Sequence, residues 1–349
     1  MQRWGLVFLT LVTIIMVAAA AQQVWRVLQQ PPTPQIGVEP TVIPTMPSSP
    51  TTIPTVPITH TVVTTGATPT VGVPSPTIMP PTPSPFPTPQ GFIAYRVKEG
   101  ETLTQIAQAA GSTAAFIQAF NRFGGDPAPQ RPLIIPQIDA QQSTLTSQAI
   151  IVQRGANRPA VALTFDAGAS SKPTESMLDT LAARSIRVTF FLTGAWIRNN
   201  PELTRRIVAD GHEIANHSTS HPDFTTIDDA QMQQELNDMA QALVETTGTL
   251  PAPFFRPPFG AYNENVLRTV IKTGYLPIFW TLDSLDSVGD PKTPAFLLDR
   301  LTNTLSNEKI NGAILLVHCG SQATADALPD ILDEFAKRGI IVTTLSQVL

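Results

Sequence analysis

His217 and His221 are two of the five histidines in a chain of 349 residues, and they stand four positions apart. One helical turn or one tight loop carries positions i and i+4 to the same face, so two imidazoles at that spacing can close on one metal ion. The spacing alone is equally compatible with two surface histidines. The other chemistry-bearing residues, and the elements that must carry them, separate the two readings.

From residue 160 onward strand-like runs alternate with helical ones. Strands are predicted over 161–166, 188–194, 213–218, 254–256, 277–283, 313–318 and 340–345, with helices over 174–184, 201–210, 230–246, 264–273, 294–305 and 329–337. Parallel strands need crossovers, so seven strands interleaved with six helices predict a parallel α/β fold, a distorted (β/α)7 barrel. In that frame Asp166 ends the first strand, His217 the third, Arg256 the fourth and His318 the sixth, while Asp286 lies just past the fifth. The C-terminal strand ends of such a barrel meet on one face, where chemistry is done. Unrelated structural roles would not gather these rare polar groups there, and the metal reading of His217 and His221 is preferred.

The net charge of −5 provides no polycation for nucleic acid. The single cysteine, Cys319, excludes an intramolecular disulfide. Residues 4–21 carry no charge and come directly after Arg3. A run of about 18 apolar residues can cross a bilayer, and the positive-inside rule sends the remainder of the chain outward. The small residues Ala18 to Ala21 also suit a signal-peptide cleavage site. The chain is therefore expected outside the cell or in its wall, either anchored in the membrane with a cytoplasmic N-terminus or secreted. Over 31–90 proline and threonine supply more than half of the residues, with Glu39 the only charge. Such a segment cannot bury enough apolar surface to offset chain entropy, and it reads as a disordered, extended stalk reaching up to ~190 Å. The expected organisation is 1–22 anchor or signal, 23–93 stalk, 94–137 small module, 138–158 linker and 159–349 large domain.

The small module reads as β-α-α-β. Tyr95-Arg96-Val97 is strand-like, Thr102 caps a helix with Leu103, Ile106, Ala107 and Ala110 on one face, Gly111 ends it, and Ser112 caps a second helix bearing Phe116, Ile117 and Phe120. Leu133-Ile134-Ile135 closes the unit. Together with Gly100-Glu101-Thr102-Leu103 and Asn121, these residues resemble a LysM module, which implies binding of N-acetylglucosamine-containing glycans, peptidoglycan or chitin. The stretch 122–131 is longer and richer in proline than the LysM pattern.

The large domain resembles the polysaccharide deacetylases of the NodB-homology type, carbohydrate esterase family 4. Thr164-Phe165-Asp166, His217-Ser218-Thr219-Ser220-His221, Arg256-Pro257-Pro258-Phe259-Gly260, Asp283-Ser284-Leu285-Asp286 and Leu316-Val317-His318 match its five motifs in order. The resemblance implies a hydrolase that removes N-acetyl groups from such glycans. It makes Asp166 the general base, held by Arg256, and His318 the general acid, tuned by Asp286. A divalent cation, zinc by preference, would sit on His217 and His221. The backbone N–H of Phe259 would help to stabilise the oxyanion, and Leu316 would contact the acetyl methyl. Asp283 and His212 are read as structural. Cys319 is set aside as a nucleophile because strand alternation turns it away from His318.

Two positions depart from the family pattern. Ala167 stands where a second aspartate usually serves as the third metal ligand, so metal affinity should fall. Ser287 replaces a tryptophan that often comes after the fourth motif. Two rival functions remain: a wall-glycan-binding protein with weakened catalysis, and an esterase removing O-acetyl groups from a polysaccharide.

Overall fold

The computed structural model describes residues 86–156, 159–168 and 170–349. The expected anchor or signal segment and nearly all of the stalk lie outside the described residues.

In the small module β1 (Gly91–Arg96) pairs antiparallel with β2 (Pro132–Gln137), from Gly91 opposite Gln137 to Arg96 opposite Pro132. Helices Leu103–Ala110 and Ala114–Asn121 lie between them. The first helix opens on a capping box: the Thr102 hydroxyl accepts from the Gln105 N–H, and the Gln105 side chain accepts from the Thr102 N–H. It ends at Gly111, whose φ is +67° and where a Cβ would lie 2.0 Å from the Asp139 carbonyl oxygen. Only glycine fits there. The second cap is Thr113 rather than Ser112, because extended Thr113 sits one residue before the helix and its hydroxyl accepts from the Phe116 N–H. Ser112 instead donates to the Pro136 carbonyl, 2.6 Å away. Buried Asn121 donates to the carbonyls of Ile117 and Ile134 and accepts from the Ile134 N–H, which ties the second helix to β2. The module begins earlier than expected, at Gly91, because β2 extends to Gln137 and offers it a partner.

The large domain is built on β3 (Ala160–Ala167), β4 (Thr189–Leu192), β5 (Glu213–Asn216), β6 (Phe254–Phe255), β7 (Leu276–Pro277), β8 (Leu282–Asp283), β9 (Ile314–His318) and β10 (Ile341–Thr343). All pairings among them are parallel, in the order β7-β6-β5-β4-β3-β9-β8, with β10 added beside the start of β3. The run 277–283, expected as one strand, is divided. Its first part ends β7 and its last part forms β8, at opposite edges of the sheet. The sheet is thus a curled, incomplete barrel. Val152 pairs with Ile278 and Arg154 with Ala313, so part of the expected linker lies along the open side.

Alternation along β3 sorts the side chains. Val161, Leu163, Phe165 and Ala167 join the core beneath the helices, with Leu178, Leu192, Leu328 and Phe335. Ala160 and Ala162 face the concave side with Phe191, Ala215, Phe254 and Ile314. Ala94 and Ile134 of the module enter this second cluster, with Phe92 and Phe120 packed against it. Module and sheet domain fall in one compact unit. A module of this size buries little surface alone, and sharing the neighbour's core supplements it.

Candidate active site

The strand ends place Asp166, His217, His221, Asp283, Leu316 and His318 around one cavity of ≈ 530 Å³, closed by Pro257, Phe259, Trp280, Ser287 and Val288. Arg256 lies directly behind Asp166. Of the residues singled out from the sequence, Asp166, His217, His221, Phe259, Leu316 and His318 line this cavity, while Arg256 and Asp286 stand behind Asp166 and His318.

Asp166 and Thr164 share the concave face of β3, and both meet Arg256. The guanidinium donates through Nη1 to Asp166 Oδ1 at 2.6 Å and to Thr164 Oγ1 at 2.9 Å, and through Nη2 to the Phe279 carbonyl at 3.2 Å. It also stacks 4.1 Å over the Phe191 ring. Arg256 is fully buried and Asp166 only 5% exposed. A buried ion pair survives when its remaining donors are satisfied, and here most are. Sequence reasoning gave Thr164 no role of its own. Its position two residues before Asp166, on the same face of a strand, is the signal that could have found it.

His217 Nδ1 lies 2.9 Å from the Arg256 carbonyl. A carbonyl oxygen only accepts, so Nδ1 carries the proton and Nε2 keeps a lone pair. That nitrogen is 3.6 Å from Asp166 Oδ2. Burial lowers the His217 pKa to about 4, against the opposing pull of Asp166, so the ring is neutral. His221 is lowered by burial as well, again opposed by Asp166. The two rings stand 4.8 Å apart at 77°, and His221 meets Phe259 edge-on at 4.6 Å. Neutral imidazoles suit a divalent cation, and in His217 a backbone carbonyl also fixes which nitrogen is left for it, so these residues fit such an ion. Among the described residues no group of three or more His, Cys, Asp or Glu is gathered to hold one. Ala167 brings no donor atom, and its side chain is 1% exposed among the core residues under the helices.

On the far side of the cavity, His318 Nδ1 lies 2.7 Å from Asp286 Oδ1, and the Asp286 carboxylate also accepts from the His318 N–H at 2.9 Å and from Thr324 Oγ1 at 2.6 Å. Burial would raise the Asp286 pKa, but these hydrogen bonds and the His318 charge outweigh it and hold it low. Burial would lower His318, yet the Asp286 bond and the charges of Asp166, Asp286 and Asp283 raise it. Nε2 is the ring nitrogen left toward the cavity, with Ser287 Oγ at 3.3 Å. Thr324 was missed in the sequence, since 38 residues separate it from Asp286.

Ser218, His221, Phe259 and Leu285 all have φ between +60° and +66°. Left-handed backbone at non-glycine residues costs on the order of 1–3 kcal/mol each and gathers at functional loops. Phe259 is 72% exposed at the rim, and Leu316 is 3% exposed at the cavity floor. Asp283 accepts from the Leu285 N–H, which shapes the loop to Asp286. His212 lies away from the cavity and accepts from the Val188 N–H; burial lowers its pKa to about 4. Cys319 is buried in the core under the helices, and burial, then the charges of Asp166 and Asp286, raise its pKa well above the usual thiol value. It is no thiolate nucleophile.

The strand ends of a parallel half-barrel thus bring Asp166, His318 and the paired His217 and His221 to one cavity. Residues 153–278 match the polysaccharide deacetylase family model, and 95–136 match the LysM domain model. The peptidoglycan-N-acetylmuramic acid deacetylase PdaA of Bacillus subtilis is 32% identical over 188 residues, 54% of this chain and 70% of that protein. Its solved structure, 30% identical, aligns with a TM-score of 0.54 over 57% of this chain and 85% of that one. A peptidoglycan-N-acetylglucosamine deacetylase of Bacillus cereus is 30% identical over 193 residues, 54% of this chain and 68% of that protein. A structure described as a CE4 family pseudoenzyme from Bacillus anthracis aligns at 25% identity with a TM-score of 0.53, over 58% of this chain and 69% of that one. The chain belongs to the polysaccharide deacetylase family, carbohydrate esterase family 4, and carries a LysM domain.

Proposed function

We propose that this protein is an exported, metal-dependent N-deacetylase of N-acetylglucosamine-type glycans, peptidoglycan before others. The observation that carries the reading is the presence of two held pairs at one cavity: Asp166 held by Arg256, and His318 held by Asp286. An amide hydrolase needs a base for water and an acid for the departing amine, and these residues provide both. Arg256 keeps Asp166 oriented, with its second oxygen free to take a proton from water. His318 carries a proton on Nε2, facing the cavity, and delivers it to the sugar nitrogen as the C–N bond breaks. Asp286 favours the imidazolium that this requires. Leu316 offers an apolar surface to the acetyl methyl, and the Phe259 N–H is assigned to the oxyanion. A divalent cation held by His217 and His221 would lower the pKa of the attacking water and polarise the carbonyl.

The uncharged run at 4–21 and the Pro/Thr-rich stretch support export and a wall or membrane location. The LysM domain supports delivery to the same polymer, which raises the local substrate concentration without adding catalytic contacts. A second reading, a wall-binding protein with lost catalysis, draws on Ala167 and on the likeness to the pseudoenzyme. Acetate release from peptidoglycan and from N-acetylglucosamine oligomers, with zinc and then with chelator, separates the two. Release with zinc that stops on chelation supports the enzyme. Absence of release with glycan still bound supports the second reading.

A further inference from the structure

The loop between His217 and His221 carries two left-handed residues, Ser218 (φ 66°) and His221 (φ 65°), and no regular secondary structure. Backbone of this kind does not hold its own shape. Its N–H groups need acceptors, and its torsions must be fixed from outside. On one side the carbonyls of Ser218 and Thr219 accept from the N–H groups of Gly194 and Ala195, both at 3.0 Å. On the other side the loop meets Glu235, on helix Asp229–Thr247. Glu235 Oε2 accepts from the N–H groups of Thr219 at 2.8 Å and Ser220 at 2.7 Å. Oε1 accepts from the Ser220 hydroxyl at 2.7 Å, and the Glu235 backbone carbonyl accepts from the Thr219 hydroxyl at 2.8 Å. One residue thus takes four hydrogen bonds from the two loop positions next to His221. Gly194 closes the packing, since a Cβ there would lie 3.1 Å from Thr219 Oγ1 and 3.3 Å from the Met239 backbone.

We infer that Glu235 is the positioning residue of the paired histidines: it clamps Thr219 and Ser220 and so fixes His221 relative to His217. This rests on the reading of those histidines as the seat of a divalent cation. His217 is anchored independently, by its bond to the Arg256 carbonyl. Among the described residues no hydrogen bond from another residue's backbone anchors the His221 ring, which meets Phe259 edge-on at 4.6 Å; its backbone N–H is held by Ser218 Oγ at 3.0 Å. Its ring goes where the loop puts it. With only two protein nitrogens for the ion, affinity depends on both being presented in advance. Residues that orient metal ligands from behind are commonly worth about 10–100-fold in affinity.

The test is a cobalt(II) titration of the full chain, read by d–d absorbance, with zinc competition and a thermal melt of each variant. Glu235→Leu keeps length and helix propensity but accepts no hydrogen bond; its cobalt affinity should fall about 10–100-fold. Glu235→Gln keeps one carbonyl oxygen for the two N–H groups and can donate to the Ser220 hydroxyl, so it should stay within about threefold of wild type. Wild-type affinity and spectrum in the Leu variant would overturn the inference. A Gln variant as weak as the Leu variant would overturn it too, by assigning the effect to charge. Should Glu235→Leu fail to fold, Glu235→Asp decides in the same way, because the acceptor is withdrawn by one methylene and affinity must fall. A wild-type chain that binds no cobalt would defeat the metal reading itself, and this inference with it.

Discussion

Arg256 Nη1 lies 2.6 Å from Asp166 Oδ1, with the arginine side chain wholly buried and the aspartate nearly so. The same guanidinium is stacked on Phe191 and bonded to Thr164, so it cannot swing to another partner. The pair therefore sets which oxygen of Asp166 is spent on structure and which remains for chemistry.

Asp166→Asn should reduce acetate release by about 10²–10⁴-fold, because an amide cannot take the proton from water. Cobalt and glycan binding should persist, since His217, His221 and the LysM domain are untouched. A variant that retains full turnover would remove Asp166 from the role of base.

Arg256→Met should destabilise the fold by about 3–5 kcal/mol, the usual consequence of leaving one partner of a buried pair uncompensated. Urea denaturation measures it. A double variant with Asp166→Asn should recover part of the loss, because no unpaired charge remains buried.

Asp286→Asn should move the alkaline limb of the pH–rate profile to lower pH. His318 is raised by its bond to Asp286 and by neighbouring carboxylates, and the acid works only while protonated. Activity is then lost as pH rises through the His318 pKa, and without the Asp286 charge that point comes earlier. A profile of unchanged shape would separate Asp286 from His318 tuning. The complementary variant Thr324→Val removes a donor to Asp286 Oδ2 at 2.6 Å, leaves more of the carboxylate charge for His318, and should shift the limb the opposite way, to higher pH.

Phe92→Ala should lower the melting temperature of the whole chain. Its ring lies 5.3 Å from that of Phe120, faces Gly274, where a Cβ would stand 3.0 Å from the ring, and packs on the core shared by module and sheet. Truncating a partly buried phenylalanine should cost about 2–3 kcal/mol, below the 3–5 kcal/mol of a fully buried one. A single melting transition, shifted down, is expected, because module and sheet share one core.

The alternation of strands and helices, the gathering of Asp166, His217, Arg256 and His318 at strand ends, and the pattern of the module were legible in the sequence. Each rests on local periodicity, which the order of residues alone determines. The division of 277–283 between two edges of the sheet was not, because a short apolar run has the same pattern whether it forms one strand or crosses a gap. Nor was the union of module and sheet around Phe92, Ala94 and Ile134, since a half-buried strand reads alike whether its outer face meets water or a neighbour. Glu235, Thr324 and Thr164 act through hydrogen bonds to residues 15 or more positions away. Sequence determined which groups could do chemistry. Tertiary structure alone decided which of them are held still, because rigidity comes from contacts that no local pattern encodes.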